Sequence, residues 1–228
     1  MLPSVRGQRR EGPARLPETG KGAFDMGRKT AQVVLQEGEF YTIGTANGKV
    51  LEVADYNTEN GAAIRLWDYE GQPWQQWTFV PAGADSYRIL NRFTGKVFDL
   101  AFGGTINGTW LHQWAQTAAN SQKWQLLPTE SGKTRIRSVH AGKSVDLVDM
   151  NTKNGAQAQI WSDIEGGNQE WDIRRVDEKA VHAAAPAPRR AAARKESPAQ
   201  RKHANDMLKQ INNAGRKESH RKHEEETE

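Results

Sequence analysis

The chain contains no cysteine. Disulfide frameworks, thiolate catalysis and cysteine-ligated zinc are therefore excluded. It also lacks any apolar run near the ~20 residues of a membrane helix, so no membrane span is expected. The first 37 residues hold no continuous apolar segment, and no secretory signal is visible. Met26 is a candidate start, yet the stretch from Met26 to Leu35 is too polar for a signal as well. These observations leave the location open. The six histidines show no metal-ligand spacing. Asp55-x-Asn57-x-Glu59 and Asp149-x-Asn151-x-Lys153 have the outline of a calcium loop. In both, the glycine falls one place late and the closing acid is replaced, by Leu66 and Ile160. Calcium is excluded on that ground, and neither metal nor cofactor is expected.

Aromatic residues are scarce at the two ends. Phe24 is the one aromatic of residues 1–37, and residues 177–228 have none, whereas all eight tryptophans fall between Trp67 and Trp171. The ends are also where positive charge collects. Residues 1–37 carry seven Lys/Arg against four Asp/Glu, and residues 177–228 carry twelve against nine, whereas residues 38–176 have thirteen against fifteen. Segments rich in Arg, Ala, Pro and Glu bury too little apolar surface to offset their ordering entropy. Residues 1–37 and 177–228 are thus expected to be disordered basic tails, with one short helix possible over residues 203–213. Any contact with nucleic acid is expected to reside in these tails. The folded domain is expected over residues 38–176.

That middle region is built on an internal repeat. Three Gln-x-Trp triplets end at Trp77, Trp124 and Trp171, spaced by 47 residues. The same step links Gly48, Gly95 and Gly142; Glu52, Asp99 and Asp146; Asn60-Gly61, Asn107-Gly108 and Asn154-Gly155; and Trp67, Trp114 and Trp161. Within each repeat the pattern is β. The first gives YTIGT, VLEVA, AIRLW and QWTFV, the second YRIL, VFDLA, WLHQW and KWQLL, the third TRIR, SVDLV, AQIW and EWDIR. Turn residues separate these runs, and none shows sustained helical periodicity. The spacing predicts an all-β domain of twelve strands. One repeat is too small to bury its own apolar face, so the three are expected to close around a shared axis, which also removes exposed strand edges.

Three Gln-x-Trp repeats in one register resemble the ricin B-type (R-type) lectins and related bacterial carbohydrate-binding modules. The third repeat, with N-G-A-x-x-x-x-W and N-Q-x-W, looks especially like the bacterial branch. The resemblance implies a β-trefoil, six strands forming a barrel and six a hairpin cap, and a function in binding glycans without catalysis. It further implies that the Trp of Gln-x-Trp is core. The sugar site of this family has an acidic residue, a polar residue two before an aromatic, that aromatic, and an Asn-Gln pair. Carried over, the third repeat supplies Asp146, Gln159, Trp161, Asn168 and Gln169. The second has Asp99, His112, Trp114, Ser121 and Gln122. The first has Glu52, Arg65, Trp67, Trp74 and Gln75, with Trp74 at the Asn place. The expected order is third, then second, then first.

The chemistry fits a sugar. Indole offers a flat π face to the C–H face of a pyranose, a carboxylate gives charge-assisted acceptors to hydroxyls, and an amide offers both donor and acceptor. Each residue type also has a plainer role. Asp146 and Glu52 suit a turn-holding carboxylate, Trp67, Trp114 and Trp161 suit a second core layer, and Asn60, Asn107 and Asn154 suit turns. Gln75, Gln122 and Gln169 suit backbone braces, with Gln169 alone expected to reach ligand as well.

Three functions are open on sequence: a lectin, which is the leading reading; a glycan-targeting accessory to a separate glycoside hydrolase or toxin; and a basic-tailed adaptor for a protein or anionic polymer. Catalysis is not expected. Asp99 and Asp146 occupy equivalent places in different repeats, so they do not flank one glycosidic bond. Galactose-type and xylan-type glycans are the expected partners.

Overall fold

The computed structural model describes residues 33–164 and 166–177. The tail assignments fall outside them except at the inner edges. There the N-terminal boundary moves: Val33 and Leu35 pack against the core, and the Gln36 amide donates to the Tyr41 hydroxyl at 2.7 Å. The packed region therefore begins ahead of residue 38, because two apolar side chains separated by one residue reach the same face of an extended segment. At the other end Val176 is buried and its amide donates to the Phe40 carbonyl.

All twelve expected strands are present. Six of them, β1 (Tyr41–Gly44), β4 (Trp77–Pro81), β5 (Tyr87–Asn91), β8 (Trp124–Pro128), β9 (Thr134–Ser138) and β12 (Asp172–Arg175), close into an antiparallel ring. The pairings run β1–β4, β4–β5, β5–β8 and β8–β9. Reciprocal backbone bonds between Thr134 and Trp171 then lead to β12, which pairs with β1. The other six form three hairpins: β2 (Val50–Val53) with β3 (Ile64–Trp67), β6 (Val97–Leu100) with β7 (Thr109–Trp114), and β10 (Ser144–Leu147) with β11 (Ala158–Trp161). This barrel with a three-hairpin cap is a β-trefoil.

Trp77, Trp124 and Trp171 are fully buried. Their indole N–H groups donate to the carbonyls of Leu51, Phe98 and Val145, at 3.0, 3.3 and 3.2 Å. Each Gln-x-Trp tryptophan thus joins its barrel strand to the hairpin of its own repeat. Phe98 lies edge-on to both Trp77 and Trp124, with centroids 4.5 and 6.1 Å apart.

The hairpins are locked to one another by the Asn-Gly turns. Gly61, Gly108 and Gly155 have φ of +86°, +86° and +88°, which explains glycine there. Their amides donate to Gln113, Ile160 and Leu66, each in the next hairpin around the axis. The asparagines exceed the turn role expected for them. Asn60 Oδ1 accepts from the Ala115 amide and Asn107 Oδ1 from the Ser162 amide, both at 2.9 Å. Asn154 binds Asp68, which also pairs with Lys49. They peg one repeat to the next.

Candidate functional site

Each repeat builds its polar cluster by the same steps. A carboxylate projects from the first hairpin strand, opposite a polar residue of the second. The register pairs Glu52 with Arg65, Asp99 with His112 and Asp146 with Gln159. The glutamine of Gln-x-Trp then holds the carboxylate from behind. Gln75, Gln122 and Gln169 are fully buried. Each donates to the carboxylate of its repeat, at 3.1, 2.9 and 2.9 Å. Each also donates to a carbonyl seven residues back and accepts from an amide five residues back. All three side chains therefore serve as positioning groups. For Gln169 the bonds to Asp146, Ser162 and Ile164 use its amide and carbonyl on protein partners.

The third repeat has the most complete polar set. Asp146 Oδ1 accepts from Gln159 at 3.2 Å, while Oδ2 accepts from Asn168 at 2.7 Å and Gln169 at 2.9 Å. Burial pushes the Asp146 carboxyl above its usual range, against the bonds from Gln169 and Gln159, which favour the anion. Trp161 is 38% exposed, and one ring edge lies against Gly108. It is thus both packed and open. Gly166 makes room for Asn168: a Cβ there would lie 2.8 Å from the Asn168 Oδ1.

In the second repeat Asp99 turns differently. Its Oδ1 accepts from the Leu100 amide at 2.8 Å, leaving Oδ2 to Gln122. His112 lies nearly parallel to the half-open Trp114, with centroids 5.3 Å apart. Burial pulls the His112 pKa below its usual value, opposed by the charge of Asp99. Ser121, at the Asn168 place, is buried. These side chains line a cleft of about 470 Å³ that also reaches Asp55 and Arg65 of the first repeat.

The first repeat is filled. Arg65 bridges Glu52 at 3.0 Å and Asp55 at 3.2 Å, and its guanidinium covers the Trp67 ring at 4.4 Å. Trp74 is buried edge-on to Tyr56, with centroids 4.1 Å apart, and beside Phe93. Burial raises the Glu52 carboxyl to about 7 despite the arginine. A pKa raised in the folded state means that the folded chain holds the proton more tightly than the unfolded one. Glu52 accordingly withdraws stability as the pH climbs from 4.5 to about 7. Glu52→Gln is expected to match the parent near pH 4 and to exceed it by ~1–3 kcal/mol near pH 8. Urea unfolding at the two pH values checks this. A variant less stable than the parent near pH 8 would mean that the ion pair outweighs burial.

Residues that the sequence reading did not single out also line the second cleft: Phe102, Gly103 and Trp110. The 47-residue step held the signal, since Asp55, Phe102 and Asp149 are equivalent and one of them departs from Asp. A larger cleft, about 810 Å³, runs along β1 and β12 and is lined by Thr42, Thr45, Tyr69 and Arg174. It contains none of the expected site residues. Among the described residues, no cluster of His, Asp and Glu is suited to a metal, and no helix is long and apolar enough to cross a membrane.

Three repeats that each present a carboxylate braced by a buried glutamine, set on a barrel with a three-hairpin cap, define a β-trefoil of threefold design. The chain belongs to the ricin-type beta-trefoil lectin domain-like family, whose profile matches residues 32–114 and 120–189. Comparison with the curated proteins gives no match. Among solved structures, the designed threefold-symmetric protein ThreeFoil is 28% identical, with a TM-score of 0.59, covering 60% of this chain and 99% of that one. The exo-β-1,3-galactanase 1,3Gal43A of Clostridium thermocellum is 31% identical, with a TM-score of 0.60, over 63% of this chain and 31% of the galactanase. This chain thus spans about a third of that enzyme. The Macrolepiota procera ricin B-like lectin, solved with lactose, shares the fold at 23% identity and a TM-score of 0.55, over 64% of this chain and all of the lectin.

Proposed function

We propose that this protein is a non-catalytic carbohydrate-binding module whose principal sugar site is the third repeat. The observation that carries the reading is the Asp146 carboxylate, held by three side-chain amides, with the half-open Trp161 two residues beyond Gln159 on the paired strand. The ring receives the C–H face of a pyranose. Asp146 and Asn168 meet adjacent hydroxyls, and Gln159 and Gln169 keep the carboxylate aimed. Each neutral bond contributes ~0.5–1.5 kcal/mol net and the charged one ~1.5–3, because the hydroxyls give up water. A site this shallow binds a monosaccharide near millimolar, ~4 kcal/mol, so strong attachment to a polysaccharide uses more than one repeat.

The similarity to about a third of a galactanase favours one variant of this reading, a glycan-targeting module that serves a glycoside hydrolase. Both forms are tested by applying the full chain to a glycan array with galactose-type and xylan-type ligands. Binding to one glycan class, lost in Asp146→Ala and without release of reducing ends, is the expected result. An array silent in every class would remove the carbohydrate reading, and sustained hydrolysis would remove the non-catalytic one.

A further inference from the structure

The 47-residue step makes the surroundings of the three pockets comparable position by position. Residues 55, 102 and 149 follow the first hairpin strand in a single 3-10 turn, and all three lie in the left-handed region, with φ of 55°, 56° and 54°. In the first and third repeats the residue is Asp, which tolerates that region through its short polar side chain. In the second it is Phe102, a bulky residue for which this backbone is strained. Packing does not explain the phenylalanine, since it is 61% exposed. The turn is held in place by His140, whose ring lies 3.2 Å from the Gly103 carbonyl. An exposed aromatic residue kept on a strained backbone, at the lip of a cleft, points to use of the ring.

Two neighbouring substitutions open the space beside it. Tyr56 and Trp74 pack together and plug the first repeat. At the same two places the second repeat has Gly103 and Ser121, and the cleft lies there. A third difference adds a wall: Trp110 stands where the other repeats have Ala63 and Gln157. Phe102, Trp110 and Trp114 thus line one cleft that runs from Asp99 to the Asp55–Arg65 pair of the first repeat.

Resting on the carbohydrate reading above, we propose that the second-repeat cleft binds an oligosaccharide rather than a single sugar, and that Phe102 is its length-reading residue. The stacked pair His112 and Trp114 lines the place of the sugar held by Asp99, and Phe102 stacks the next unit along the chain. The third repeat has Asp149 in place of Phe102 and Gln157 in place of Trp110, and takes one sugar. The two sites therefore differ in the number of rings they recognise. The volume, about 470 Å³, lies in the range of small-molecule sites.

The experiment uses the full chain labelled with 15N. The indole N–H signals are assigned with Trp114→Phe and Trp161→Phe, and the probes are galactose against lactose and xylose against xylotetraose. At Trp114 the longer member of one pair is expected to bind about tenfold more tightly than its monosaccharide. Phe102→Ala is expected to erase that gain and leave the constants at Trp161 unchanged. Phe102→Asp, which restores the residue of the other repeats, should also erase it while raising the melting temperature by about 2–4 °C through relief of strain. Equal affinities for both members of each pair at Trp114, or a gain that survives in Phe102→Ala, overturns the inference. Response at Trp161 with none at Trp114 overturns it as well and leaves the carbohydrate reading standing. Silence at both tryptophans removes the two together.

Discussion

Trp77→Ala is expected to lose about 3–5 kcal/mol of folding stability, the cost of emptying a large buried aromatic site. Small domains have ~5–15 kcal/mol in total, so the variant stands close to unfolding. The side chain is fully buried, its ring meets Phe98 edge-on at 4.5 Å, and its N–H is the donor to the Leu51 carbonyl that joins barrel to hairpin. Truncation therefore removes burial and also leaves that carbonyl without its partner. Urea unfolding gives the magnitude. A loss below ~1 kcal/mol would show that the three Gln-x-Trp tryptophans are not the centre of the core. Trp161→Ala is the contrast, because its ring is more than a third exposed and its loss should act on sugar binding while sparing most of the stability.

Asp146→Ala is expected to weaken sugar binding at the third repeat by ~2–3 kcal/mol, roughly 30- to 150-fold. The substitution removes the charge-assisted acceptor for hydroxyls. It also frees Asn168, Gln159 and the second donor of Gln169, whose orientations depend on the carboxylate. Asp99→Ala should cost less, because Ser121 and His112 stand where the third repeat has Asn168 and Gln159. Glu52→Ala should be nearly silent toward sugar, since Trp74 and Tyr56 fill that hollow and Arg65 covers Trp67. Monosaccharide titration of the three variants by NMR checks the order. Lost binding in the Glu52 variant alongside retained binding in the Asp146 variant would reverse the assignment of repeats.

The architecture was legible in the chain because it is written three times. A step of 47 residues that carries Gly-Lys, an acid, Asn-Gly, Trp and Gln-x-Trp together identifies equivalent places without any coordinates. Alternation within β9, where Thr134, Ile136 and Ser138 point inward and Arg135 and Arg137 face away, shows why short runs sufficed to find strands. The burial of Trp77, Trp124 and Trp171 agrees with their places in alternating strands, where large aromatics supply much of a small core.

Val33 and Leu35, ahead of residue 38, are too few to form a pattern, and their packing depends on a core surface assembled from distant strands. The second roles of the asparagines were hidden for a related reason. Asn60 meets Ala115, and Asn107 meets Ser162, only once three hairpins are placed around an axis.

The sequence by itself determined the all-β class and the threefold repetition, because each is a matter of residue type at a fixed spacing, whereas the set about Asp146 rested on the family resemblance. The tertiary structure alone decided which hollows are open. Whether Trp74 is a ligand-facing substitute or a plug depends on Tyr56, eighteen residues away along the chain and packed against it in space. Whether Phe102 is core or lip depends on the left-handed turn that turns it outward. Spacing specifies chemistry along the chain, whereas empty volume is a property of side chains from separate segments meeting or failing to meet.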